Sequence, residues 1–204
     1  MPPKQSDRPP MASRVFRRSA KTCPHCKGIL ETSDTQCLRC GFGFAYLTEL
    51  MPGPGPEFGG VMDFCQLIPQ DHSKITAEIE RIRKFFPQVN PAICLVNSPE
   101  NVAPHHLALW MINQATGEDA PEWRTLLFID PARRQHTFVS GYALEAFFER
   151  QELERILDSA GQWFFDQEWE SGIEVFLHEF FDLLKEASQF STWAEKEALK
   201  TQNQ

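Results

Sequence analysis

Cys23, Cys26, Cys37 and Cys40 form two Cys-x-x-Cys steps with ten residues between them, in a chain with only two other cysteines. One such step supplies two thiolates from a single tight turn. Two steps facing each other complete the four tetrahedral ligands that a structural zinc ion takes, with no position left open for substrate. Gly28 and Gly41 stand behind the second cysteine of each step, where glycine can adopt the backbone turns that aim amides at sulfur. Lys21, Lys27 and Arg39 are placed to offset the two excess negative charges of a Zn(Cys)₄ centre. So short a segment has almost no core of its own, so metal binding would be its folding energy. Competing uses of clustered cysteines are disulfides, iron and redox thiols. A cytosolic chain argues against disulfides, and a thioredoxin-type pair needs one step at a helix start rather than two among loops. His25, inside the first step, reads as an exposed spectator; Cys65 and Cys94 read as small core residues.

Other groups with chemical potential are scattered. Asn97, Ser98 and Asp130 fall where two apolar runs end, the edge at which open α/β sheets bind ligands, and Arg133 and Arg134 follow. Asn-Ser-Pro and Asp-Pro are also ordinary turn chemistry, the commoner use of such residues. His105 and His106, adjacent in sequence, cannot readily share one ion and read as surface or first-turn residues. A Cys-x₅-Arg loop, a Gly-x-Ser-x-Gly elbow and a phosphate-binding glycine loop are all absent from the sequence.

The elements that must position these residues follow from periodicity. Ile75, Ile79, Ile82 and Phe86 recur on one helical face, with Ser73 as N-cap and Pro87 as stop. "AICLV" (92–96) and "TLLFID" (125–130) are apolar runs of strand length. Between them a helix after Pro104 turns Leu107, Trp110 and Met111 inward. This crossover predicts parallel strands joined with a right-handed connection. "DPARR" turns the chain and "QHTFVSG" returns antiparallel. Leu153, Leu157, Ala160 and Phe164 form one later helical stripe, and Ile173, Phe176, Leu177, Phe180 and Leu184 another. Trp163, Phe164, Phe165 and Trp169 are more aromatic surface than one helix face buries; core is the first expectation and partner docking the second.

Charge divides the 204 residues unevenly. Residues 1–60 hold eight Lys/Arg against five Asp/Glu, and residues 61–204 hold twelve against twenty-three. The acidic body argues against direct nucleic-acid contact, and residues 1–50 offer a modest cationic excess for it. No apolar run reaches membrane-spanning length, and the polar start has no secretory h-region, so a cytoplasmic location without a membrane span is expected. The boundaries read as a disordered basic tail over 1–22, a zinc ribbon over 23–50, a Pro/Gly linker over 51–60, an α/β domain over 61–190 and a C-terminal tail over 191–204.

Residues 61–187 resemble the TPM domain, a family named after a thylakoid phosphatase and related membrane-associated proteins. "VMDFCQLIP", with Asp63 and Leu67, looks like that family's Val-x-Asp opening. "TLLFIDPARRQHTFVSGYALE" is similar to its paired strands and Gly-x-x-Leu-Glu-like element, here Gly141, Tyr142, Leu144 and Glu145, and "GQWFFDQEWESGIEVFL" resembles its closing helices. The resemblance implies an α/β/α sandwich with a mixed sheet flanked by helices. In some members it also implies phosphatase activity or binding of a divalent cation by acidic loops. Asp63 is the one catalytic candidate carried over. The chain departs from the family pattern in "GEDAPEWRT" (117–125): Glu118, Asp119 and Glu122 offer oxygen ligands, but Arg124 sits in their midst and lowers affinity for a hard cation. The reading that follows is a non-catalytic binding or scaffolding protein with structural zinc and a protein partner. The alternative is a metal-dependent phosphatase of the TPM type.

Overall fold

The computed structural model describes residues 23, 26, 28–29, 36–51, 53–100, 102–117 and 120–202, with 44, 50, 146 and 189–202 described through their backbone alone. The expected basic tail over 1–22 lies outside the described residues, as do His25, Lys27, Glu118 and Asp119.

Helix α1 spans Phe44–Leu50, β1 Gly60–Asp63, α2 Ser73–Phe85, β2 Asn90–Leu95, α3 Pro104–Gln114, β3 Arg124–Asp130, β4 Gln135–Ser140, α4 Arg150–Phe165 and α5 Trp169–Gln202. Among the described residues these build a four-stranded mixed sheet in the order β1-β2-β3-β4. The first three strands are parallel, with Val61 beside Ile93 and Ile93 beside Leu127. β4 returns antiparallel, with Phe128 opposite Thr137. β3 is buried along its whole length, as a strand covered on both faces must be, and so carries a continuous apolar run rather than an alternating one.

Each face has its own core. Ile93, Leu95, Leu127 and Ile129 point to one side, where they pack with Ile75, Ile79 and Ile82 of α2, Ile156, Ala160 and Phe164 of α4, and Ile173, Phe176, Leu177 and Phe180 of α5. Ala92, Cys94, Leu126 and Phe128 point to the other, against Leu107, Ala108, Met111 and Ile112 of α3 and against Leu47 of α1. The fold is therefore an α/β/α sandwich.

The chain steps across the sheet in one direction while α2 and α3 lie on opposite faces, so the two crossovers have opposite hands. The Leu95 carbonyl accepts from Phe64 N–H on the β1 side, and Val96 N–H donates to Ile129 on the β3 side. With the Leu95 side chain on the α2 face, L-chirality makes β2-α3-β3 right-handed, as expected from sequence. The same geometry makes β1-α2-β2 left-handed, an exception to the usual rule.

Three boundaries differ from those read in sequence. His72 rather than Ser73 is the N-cap of α2, and its side chain makes no capping bond. α5 runs unbroken to Gln202, so the limit expected at residue 190 falls inside a helix. The second half of the Pro/Gly stretch is tied down: Phe58 N–H donates to Thr116 O at 2.8 Å and Thr116 N–H to Pro56 O at 2.9 Å, and Phe58 is buried. Arg124 explains why. It is fully buried, donates through Nη1 to the Ala115 and Ile112 carbonyls at 2.8 and 3.2 Å, and lies over the Phe58 ring with 4.7 Å to the centroid. The cation that sequence placed in an acidic loop instead caps the carbonyl end of α3, where the helix dipole favours it.

Candidate functional site: a four-thiol centre

The second Cys-x-x-Cys step is a tight turn. Cys37 N–H donates to Phe42 O at 2.8 Å and Gly41 N–H to Cys37 O at 2.7 Å, and an antiparallel bridge joins Gln36 to Gly43. Gly41 sits at φ +73°, the left-handed region that glycine enters without penalty. Gly28 serves differently: its φ is not positive, and a Cβ there would stand 3.3 Å from Cys26 Sγ. Across the first step Cys23 N–H donates to Gly28 O at 2.7 Å.

The turns bring all four sulfurs within 4.8 Å of one another. Cys23 Sγ lies 3.7 Å from Cys40 Sγ, and Cys26 Sγ 3.6 Å from Cys37 Sγ. These distances are far beyond a disulfide bond of about 2.05 Å, and all six cysteines are free thiols. Burial pushes the Cys37 thiol up, but the Cys40 and Arg39 amides and the Cys26 and Cys40 sulfurs outweigh it and hold it at about 7 against an ordinary 9.0. The Phe42 amide pulls Cys40 down, while burial and the three neighbouring sulfurs push it up to about 12. Thiols this close cannot all ionise side by side; a cation in their centre removes the conflict. The group can therefore hold a metal ion.

The centre rests on the α/β domain through its own C-terminal continuation. Phe42, whose amide faces Cys40 Sγ, packs tilted against His106 of α3 with ring centroids 4.5 Å apart, and Leu47 is buried on the α3 face. His106 lies in the first turn of α3, one of the two expected places, and is buried under the ribbon, with His105 edge-on to it at 4.0 Å. This dock is not evident from sequence. Its signal was the apolar run ending in Leu47, more apolar surface than so short a metal-held segment needs.

The residues at the sheet's carboxyl edge serve the loops that follow it. Asp63 accepts amides from Cys65, Leu67 and Ile68 at 3.0, 2.7 and 2.8 Å. Asp130 is fully buried and accepts Ser98 and Arg133 amides, each at 3.1 Å. Asn97 accepts Ala132 N–H, and the Arg133 guanidinium donates to the Pro99 and Val102 carbonyls. Among the described residues, the four cysteines are the one group of three or more His, Cys, Asp or Glu side chains close enough to share an ion. Among the described residues, Asp63 is not grouped with two further carboxylates close enough to share an ion. Cys94 is buried, its thiol pushed up by burial, with Sγ 3.8 Å from Met111 Sδ. Cys65 is half-buried and is likewise pushed up by burial.

No family model and no curated protein matches the sequence. Similar solved structures include the solution NMR structure of the N-terminal domain of the cg2496 protein from Corynebacterium glutamicum. It is 18% identical, with 64% of this chain and 84% of that chain covered and a TM-score of 0.49. Another is the N-terminal domain of a P. gingivalis protein, at 19% identity, 62% and 82% coverage and a TM-score of 0.50. At that identity the second likeness speaks for the fold of the α/β domain alone. No helix among the described residues is long and apolar enough to cross a membrane.

Proposed function

We propose that this chain is a cytoplasmic, non-catalytic binding or scaffolding protein in which a TPM-like α/β domain carries a structural zinc ribbon. Its metal ligands are Cys23, Cys26, Cys37 and Cys40, and its partner is another protein. The observation that carries this reading is the sulfur geometry. A tetrahedron of Zn–S bonds about 2.3 Å long has edges of about 3.8 Å, and the two measured pairs stand at 3.7 and 3.6 Å. Supporting the non-catalytic part, Asp63 spends both carboxylate oxygens on backbone amides. The family assignment leans on the order of elements and on the α/β/α fold.

Metal analysis of protein purified under reducing conditions tests the centre. One zinc per chain is expected, lost in Cys37→Ser together with the order of the ribbon. Iron in its place, or no metal, overturns the assignment.

A further inference from the structure

A cleft of about 620 Å³ opens beside the β3–β4 turn, within the range of about 300–1,000 Å³ common to ligand pockets. None of the four thiols lines it; its walls are the last turns of α4, the start of α5 and the hairpin. Phe165 and Trp169 supply apolar wall, and Arg134, Asp158 and Asp166 supply charge. These three charged groups are exposed on the cleft surface. None of them makes an ion pair or side-chain hydrogen bond with a described residue. Elsewhere on the same body opposite charges do pair, as Arg155 does with Glu179 at 2.8 Å. Here a guanidinium and two carboxylates line one cavity without closing on each other.

Arg134 takes φ +51° in the hairpin turn, which carries its guanidinium over the Phe165 ring at 5.7 Å from the centroid. Asp166 follows α4, and Gln167 at φ +64° turns the chain into α5. A side chain at Gly161 would collide with the His136 ring at 2.8 Å, so glycine there lets α4 approach the hairpin and form the cleft wall.

We infer that this cleft binds a small dipolar molecule of the basic amino acid type, its carboxylate on Arg134 and its two cationic groups on Asp158 and Asp166. Asp130 also lines the cleft but is taken up by the Ser98 and Arg133 amides, so the two unpaired carboxylates against one guanidinium favour a ligand with one net positive charge. The aromatic walls suit a guanidinium or the methylene stem of a long cationic side chain. Charge-assisted bonds from these solvent-facing groups supply the specificity.

Isothermal titration of the full zinc-loaded chain at low salt tests this, with L-arginine, L-lysine, agmatine (arginine without its carboxylate) and L-glutamate as probes. Saturable binding of L-arginine or L-lysine is expected with Kd below about 1 mM, and none of L-glutamate. Asp158→Asn and Asp166→Asn should each weaken it about tenfold, and Arg134→Gln should weaken the amino acids while sparing agmatine. Unchanged zinc content and circular dichroism show that each variant is folded, and they keep this result separate from the fate of the ribbon. Absence of saturable heat with both basic amino acids overturns the inference. So does L-glutamate binding as tightly, agmatine matching L-arginine, or indifference to the two aspartate changes.

Discussion

A carboxylate at the end of a parallel strand reads equally well as a metal-handling group or as the cap of the loop behind it, and only the positions of neighbouring amides decide. For Asp63 three amides converge on its oxygens, so the side chain organises residues 64–68. Asp63→Asn should destabilise the chain by about 1–3 kcal/mol, the scale for hydrogen bonds to a charged group, measured by urea denaturation. Any phosphatase turnover with calcium, magnesium or manganese should stay unchanged per folded molecule. Turnover abolished in a fully folded variant would restore the hydrolase reading. His136 makes a second claim at this scale. Burial against α4 lowers its pKa below 6.5, more than the bond to Leu157 O and the charge of Asp158 raise it. The unfolded chain then takes up this proton before the folded one does. His136 therefore costs no stability above pH 6.5 and a growing amount as pH falls through its depressed folded value. Denaturation midpoints measured from pH 7.5 down to 5 should decline, and His136→Gln should flatten part of that slope. A slope unaltered by the change would assign it to other groups.

Elements were legible where a periodic pattern met a single environment. β2 and β3 announce themselves because burial on both faces demands an uninterrupted apolar run, and α2 and α5 because each turns one stripe inward. The four thiols were legible because coordination chemistry fixes their spacing. What sequence hid depends on contacts distant along the chain. α1 is a short helix whose buried Leu47 side chain meets α3 about sixty residues later. The left hand of β1-α2-β2 depends on which face α2 chooses, which no local pattern states. The Gly161–His136 approach that shapes the cleft is likewise invisible before α4 packs on β4. Arg124 is the sharpest case: among acidic neighbours it read as a cation that weakens a metal site, yet it holds the end of α3, the start of β3 and the Phe58 segment together. Arg124→Met keeps much of its volume and removes both donors. It should cost about 2–4 kcal/mol, because buried carbonyls lose a charged partner. Faster amide exchange at residues 56–58 and 112–116 than elsewhere in the domain would locate the damage. A loss below about 0.5 kcal/mol would mean that water replaces the guanidinium.

At the scale of the whole molecule, the question is whether ribbon and body are separate beads on a Pro/Gly string. Phe42 on His106, Leu47 within the second core and Phe58 beneath Arg124 give three anchors on the α3 side. The two modules should therefore respond to metal together. In the proposed zinc-loaded state, removing the ion takes away the ribbon's folding energy, and the α1 turn beyond it loses the register that sets Leu47 on α3. Burying one leucine contributes about 1.5–3 kcal/mol, so chelation should lower the melting temperature of the α/β domain as well as unfold the ribbon. It should also uncover apolar surface on the α3 face, read as increased binding of a hydrophobic dye. Leu47→Ala should reproduce the loss in domain stability while leaving zinc bound. In that variant chelation should then lower the domain's melting temperature by less than it does in the parent chain. If chelation leaves the domain's melting temperature unchanged, the ribbon is an independent module. A partner lost on deleting residues 1–52 could then be assigned to the ribbon without regard to the exposed α3 face.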